Sequence, residues 1–433
     1  MTPAPTHNRG LHRLALVTAV ATFPLIFMGG LVTTHDAGLS VPDWPNSYGY
    51  NMFLFPPSQW VGGILYEHTH RLMGTVVGYC SLMLALWAWG AGRNATVRRF
   101  LLGGIVASLF GAAVIGAWLA FGHPANRSDK LASHAAQSIV SFVGLALVLA
   151  AAWASRVREP RHWVRWLSVG VLGMVVFQGV LGGLRVVALK LDLAIVHACV
   201  AQAFFCLAAL VAVVTSRWWE RVQLERDTIS TSGRTLVRLA VLAWVVIYLQ
   251  LMVGATMRHY RAGLAIPDLP LAYGHVIPPT DAASLHDAQQ RLAGDQWWDA
   301  NEATLGQVWL HFGHRLGAVL VTIALTVLIT VILRKHRRPG LLGPAFLLIA
   351  LLLLQLTLGV LTVLLKKPAD ITSAHVAVGA LVLVTTFVLA VRSMRLYSQP
   401  ILVGSDRDQR GFEPLEDDRN PSLTGAVGRP AIS

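Results

Sequence analysis

The stretch DAGLSVPDWPNSYG at residues 36–49 returns as RAGLAIPDLPLAYG at residues 261–274, an offset of 225. Each copy is followed by a long apolar run that begins with the same triplet, His70-Arg71-Leu72 in the first case and His314-Arg315-Leu316 in the second. Further along, Gln178 and Gly182 match Gln355 and Gly359, and His197 matches His375, at offsets of 177 and 178. Self-similarity over this distance marks a duplicated structural unit. The offset falls from 244 at the His-Arg-Leu triplets to about 178 further on, so some 66 additional residues lie inside the first copy. That length accommodates two membrane helices and their connections.

Of the 433 residues, 55% are hydrophobic and 13% charged. Apolar runs near 14–34, 66–90, 100–120, 131–153, 166–186, 193–214, 239–257, 308–333, 342–364 and 371–393 are each long enough to cross a hydrocarbon core of about 30 Å. Within lipid the backbone must satisfy itself, which favours helices over an open sheet. The expected fold is an all-α polytopic membrane protein of about ten transmembrane helices. It comprises two repeated four-helix bundles and an inserted helix pair at about 95–160. The expected organisation is an N-terminal repeat over 1–225, a C-terminal repeat over 226–400, and a disordered polar tail over 401–433.

A formal charge of +13 would suit nucleic acid, but the position of the charges argues against it. Arg9 and Arg13, Arg98 and Arg99, Arg158, Arg161 and Arg165, Arg217 and Arg221, and Arg334 to Arg338 all flank spans on one side. The positive-inside rule then places both termini in the cytoplasm and makes the basic balance a topology signal. Residues 1–34 resemble a signal peptide, yet the first span has a counterpart at 239–257 and is expected to remain. With no Arg- and Ser-rich transit segment ahead of it, a bacterial inner membrane is the expected location. Cys80, Cys199 and Cys206 all fall within spans and lack metal-site spacing.

In this topology His70, His134, His197, His314 and His375 sit near the outer ends of helices that run inward. A single histidine at such a place more often bonds a carbonyl or headgroup. Four at repeat-related positions, His70, His197, His314 and His375, instead suggest two pairs of axial ligands to haem iron. His134 belongs to the inserted pair and has no Gln-x-x-x-Gly before it. His68 and His311 fall off the ligand register, while His35 and His259 read as polar groups at span ends. Glu67 stands three residues before His70, where the second half has His311. An intramembrane carboxylate is a functional candidate, although a first-turn acid also suits the helix dipole. Arg71, Arg315, Arg185 and Arg258 could hold haem propionates or snorkel to headgroups. The two loops read as compact lids, and the glycines after Gln178 and Gln355 allow close helix packing.

Glu67-x-x-His70-Arg71, the Ala37-Gly-Leu and Pro42-Asp-Trp-Pro loop, Gln178 to Gly182 with His197, and His314-Arg315 with His375 together resemble the haem A synthase family. The resemblance spans nearly the whole chain except the inserted pair and the tail. It implies a membrane oxidoreductase that converts the ring methyl of haem O to the formyl group of haem A for cytochrome oxidase assembly. It further implies haem b held by His314 and His375, substrate haem O between His70 and His197, and Glu67 at the reacting methyl. Haem O synthase, oxidase assembly factors and an unidentified electron-transfer partner are the implied associates, with membrane lipid and without nucleic acid. The family's usual plan has eight spans, and several members carry external cysteines that this chain lacks. A di-haem, quinone-linked electron-transfer cytochrome is the alternative, and it leaves Glu67 and the lids without a purpose. A repeat-built transporter fits less well, because the spans lack broken helices around a midplane site.

Overall fold

A computed structural model describes residues 8–92, 94–121, 129–155, 158–189, 191–222, 231–292 and 303–397. The tail expected over 401–433, and parts of the connections within the inserted pair, lie outside them. Among the described residues twelve α-helices follow one another: α1 Arg9–Thr34, α2 Gly63–Trp89, α3 Ala95–Phe121, α4 Asp129–Ala154, α5 His162–Ala188 and α6 Leu191–Val214. After these come α7 Arg217–Val222, α8 Thr231–His259, α9 Ala282–Leu292, α10 Leu305–Lys335, α11 Pro339–Leu364 and α12 Ala369–Tyr397. Ten of them are long and apolar enough to cross a membrane; only the short α7 and α9 are not. This is an all-α, multi-pass membrane protein.

Local chemistry sets where the helices begin. Asn8 accepts the Leu11 N–H at 3.1 Å as the N-cap of α1. Thr304 and Gln307 close a capping box ahead of α10. Pro339 opens α11, where its missing N–H costs nothing. Inside the spans, Thr22, Ser81 and Thr386 each return their hydroxyl to the carbonyl one turn back, so these hydroxyls are satisfied within their own helices.

Helices α1, α2, α5 and α6 pack together, as do α8, α10, α11 and α12. The two groups meet through α1 and α6 on one side and α8 and α12 on the other. At that seam Gly30 of α1 lies against Ser373 of α12, the close backbone approach that small residues permit. Helices α3 and α4 pair with one another, and α4 reaches the rest through α2 and the turn Met52–Leu54. They are thus a lateral addition, with Phe100 and Phe110 on the outer surface.

Apolar cores fill one end of each group. Leu11, Val77, Leu84, Val171, Phe204 and Val211 form the first, and Leu236, Ile247, Leu325, Leu348, Leu383 and Leu389 belong to the second. Both lie toward the ends away from the long loops. The loop-bearing ends are where the repeated histidines collect.

Candidate functional site

The two loops fold alike in detail. Asp43 accepts the backbone N–H groups of Tyr48 and Gly49, each at 2.7 Å, and Asp268 does the same for Tyr273 at 2.7 Å and Gly274 at 2.8 Å. Tyr48 and Tyr273 both adopt left-handed backbone, with φ of 52° and 57°. Their hydroxyls donate to the carbonyls of Ser40 and Ala265. Both loops contain a cis peptide, Trp44–Pro45 and Leu269–Pro270.

Arg71 and Arg315 hold these loops in place. Arg71 donates to the carbonyls of Val41, Asp43 and Asn46 at 2.7, 2.6 and 3.0 Å. Arg315 donates to the repeat-related carbonyls of Ile266, Asp268 and Leu271 at 3.0, 2.9 and 2.9 Å. Both arginines thus spend most of their donors on the loops. A guanidinium carries five donors in a fixed fork, and three carbonyls of one turn consume most of them.

The residue one turn before each arginine completes the clamp. Glu67 accepts the Val41 N–H at 2.9 Å and pairs with Arg71 at 2.8 Å. His311 Nδ1 accepts the Ile266 N–H at 3.1 Å, which leaves the ring proton on Nε2, 3.3 Å from Arg315 Nε. Different side chains therefore do one mechanical job in the two halves. His311, off the ligand register in the sequence, is a loop anchor.

The four histidines of the expected pairs share a second repeated feature. Each ring rests on a glycine of a neighbouring helix: His70 on Gly29, His197 on Gly182, His314 on Gly254 and His375 on Gly359. A Cβ at any of these positions would come within 3.0–3.3 Å of the imidazole Cε1. They stand 6–9 residues into α2, α6, α10 and α12, or about 9–14 Å along each axis at 1.5 Å per residue. Glutamines brace three of the four. Gln178 donates to the His197 carbonyl at 3.0 Å, Gln250 to the His314 carbonyl at 2.8 Å, and the Gln355 amide is 3.3 Å from His375 Nε2.

His314 and His375 face each other with ring centroids 6.5 Å apart and planes inclined at 69°. Two imidazoles bound to one metal through nitrogens about 2.0 Å from it would place their centroids about 6.3 Å apart. The spacing fits a pair of axial ligands. His70 and His197 lie close enough to interact electrostatically, and both feel the charge of Arg185. The Nδ1 atoms of His70, His197 and His375 are buried without a hydrogen-bond partner. Such unmet ring nitrogens are costly in an apolar interior and suit a group that coordinates imidazole. Among the described residues no three His, Cys, Asp or Glu side chains gather as they would around a bare ion. Pairs of imidazoles are what a macrocycle requires, since it supplies the remaining ligands itself.

The other histidines take separate places. His134 is exposed on α4, beside Trp118 and Val114 of α3, and joins neither pair. His68 is buried under the first loop against Ser47, Phe55 and Trp60. His35 stacks on Tyr66 at 4.0 Å. His259, which reads in the sequence as a group facing lipid, is half-buried and senses His197 and Arg185. The sequence reading also passed over Gly29, Gly254 and Gln250. The two glycines keep the 225-residue offset of the loops, and that signal could have revealed them.

The lids differ in cover. Tyr273 is only 7% exposed, because α9 lays Leu285 and Ala288 into a cluster with Ile266, Tyr273 and Val308. Tyr48 is 40% exposed. In that half Trp44 lies across Gly183, next to the seat of His197.

The family model described as COX15-CtaA, cytochrome oxidase assembly protein, matches residues 138–387, a segment that holds His197, His314 and His375 but not Glu67 or His70. The chain is 30% identical over 192 residues to a heme A synthase of Symbiobacterium thermophilum, covering 43% of this chain and 53% of the relative. It is 27% identical over 173 residues to one of Shouchella clausii, covering 39% of this chain and 54% of the relative. Against these two the chain spans about half the relative's length. A match to the heme A synthase of Shewanella oneidensis is 26% identical over 375 residues, 86% of this chain and 93% of the relative.

Proposed function

From the premise that this chain belongs to the COX15-CtaA family of cytochrome oxidase assembly proteins, we propose that it is a haem A synthase, a membrane oxidoreductase that oxidises the ring methyl of haem O to the formyl group of haem A. The observation that carries this reading is the facing pair His314 and His375 at 6.5 Å, repeated in plan by His70 and His197.

In this reading the C-terminal repeat, 226–400, holds haem b through His314 and His375, and the N-terminal repeat, 1–225, holds substrate haem O between His70 and His197. Haem b, when bound, supplies one-electron exchange. The unequal lids support the assignment, since a resident group suits a sealed chamber and a substrate must enter and leave. Glu67 is the catalytic candidate. Arg71 and the Val41 N–H occupy two of about four acceptor sites on its carboxylate, so capacity remains to accept a proton or stabilise positive charge at the porphyrin rim. A purely electron-carrying cytochrome gives no reason for that carboxylate to appear in one half alone.

The protein belongs, on this proposal, in a bacterial cell membrane with both termini cytoplasmic, receiving haem O from its synthase and passing haem A to oxidase assembly. The test is co-expression with a haem O synthase followed by chromatography of extracted haems. Haem A or a hydroxylated intermediate is the expected product. Haem b alone would give the protein to the cytochromes.

A further inference from the structure

Two further arginines stand at the loop-bearing ends, Arg185, whose guanidinium lies against Gly38 of the first loop, and Arg258. Arg185 lies three residues after Gly182, and Arg258 four residues after Gly254. Residues three or four apart share a helix face. Each arginine thus stands one turn beyond a glycine that seats a histidine, on the same face and nearer the loops. The repeat-related positions after Gly29 and Gly359 are Thr33 and Thr362, and both hydroxyls simply bond their own helix. Of four seats, one in each half carries a cation.

Among the described residues neither cation has an ion-pair partner. Among the described residues Arg185 donates no hydrogen bond and forms no ion pair, although it lies within electrostatic reach of Glu67, His70 and His197. Arg258 donates to the Gly30 carbonyl and the Thr34 hydroxyl, both neutral, and its Nε is buried with no partner. Nearby, Lys367 has its pKa pushed down by burial and by Arg258, with Asp36 as the opposing charge. A guanidinium in a membrane interior is retained where something pairs with it, and its planar fork matches a carboxylate.

We propose that Arg185 and Arg258 are the carboxylate receptors of the two haem sites, each binding a propionate of the porphyrin held in its own half. This rests on the haem reading above and deepens it. The receptor comes from α5 in the first half and from α8, the counterpart of α1, in the second. The two receptors therefore stand on non-equivalent helices of the repeat.

The experiment compares iron protoporphyrin with its dimethyl ester, titrated into full-length protein purified in detergent and freed of haem. His70→Ala silences the first site, so that absorbance reads the second. Protein with native Arg258 should prefer the diacid at least tenfold, Arg258→Gln should abolish the preference, and Arg258→Lys should restore part of it. The His314→Ala background, with Arg185→Gln and Arg185→Lys, asks the same of the first site. If Arg258→Gln keeps the diacid preference, or loses both ligands equally, the receptor assignment is overturned; in the second case the arginine only ties α8 to α1. Failure of the protein with both arginines intact to bind either porphyrin would overturn the haem reading itself.

Discussion

At one position of the repeat the first half has Glu67 and the second His311, and both side chains accept a loop N–H beside an arginine. The duplicated geometry shows that anchoring the lid does not require a carboxylate. Whatever distinguishes Glu67 must come from its charge and not from the clamp. The lids diverge in the same direction, the carboxylate lying beneath the open one and the imidazole beneath the one that α9 seals. One plan has been kept mechanically while its chemistry has been divided.

The sharpest way to break this comparison is to make the halves alike. Glu67→His should preserve the clamp, because His311 already works there, yet lower haem A formation by about a hundredfold or more, within the range for removing a positioned acid or base. Glu67→Ala should also stop product while both haem sites stay filled. The measurements are pyridine-haemochrome content and chromatography of product. Loss of haem from both variants would make Glu67 structural, and full activity of Glu67→His would leave the halves chemically equivalent.

The ten spans, the two-fold repeat and the four histidines were legible in the sequence because each is periodic or duplicated and leaves a linear trace. The role of Arg71 and Arg315 was not legible. Their partners are backbone carbonyls 25 to 30 residues earlier for Arg71 and 44 to 49 earlier for Arg315, and a carbonyl has no letter in the sequence. Loop conformation alone brings those oxygens together. The short α9 was hidden in a polar loop, since its few apolar residues gain meaning only against the lid they cover. Glycines 29 and 254 were visible as letters at the offset of the loops, but only the rings resting on them give them a part in the site.

A smaller effect tests whether the glycine seats set the ring positions. A Cβ on Gly254 would meet His314 Cε1 at 3.0 Å, so Gly254→Ala must displace the ring or its helix by a few tenths of an ångström. Haem affinity at the second site should fall about tenfold, equivalent to about 1.4 kcal/mol, and Gly29→Ala should act likewise on the first. Gly313→Ala is the matched control. It lies beside His314 in α10, meets nothing within 4 Å, and replaces a poor helix former by a good one. Equal haem titrations for Gly254→Ala and Gly313→Ala would remove the seats from the account of the site.

The smallest expected effect concerns the lateral pair. His134 lies on α4, which reaches the first bundle through α2, and its exposed ring borders a shallow hollow with Trp118 and Ser138. A surface substitution away from caps, cores and buried charges typically changes stability by about 0.5 kcal/mol or less. His134→Ala should accordingly leave haem content, product and melting temperature at their original values, in contrast to His197→Ala, which should empty the first site. The pairing would then depend on the duplicated helices alone. If His134→Ala were instead to lose haem, the ligand opposite His70 would come from the inserted pair, and the equivalence of the two halves would fail at the iron itself.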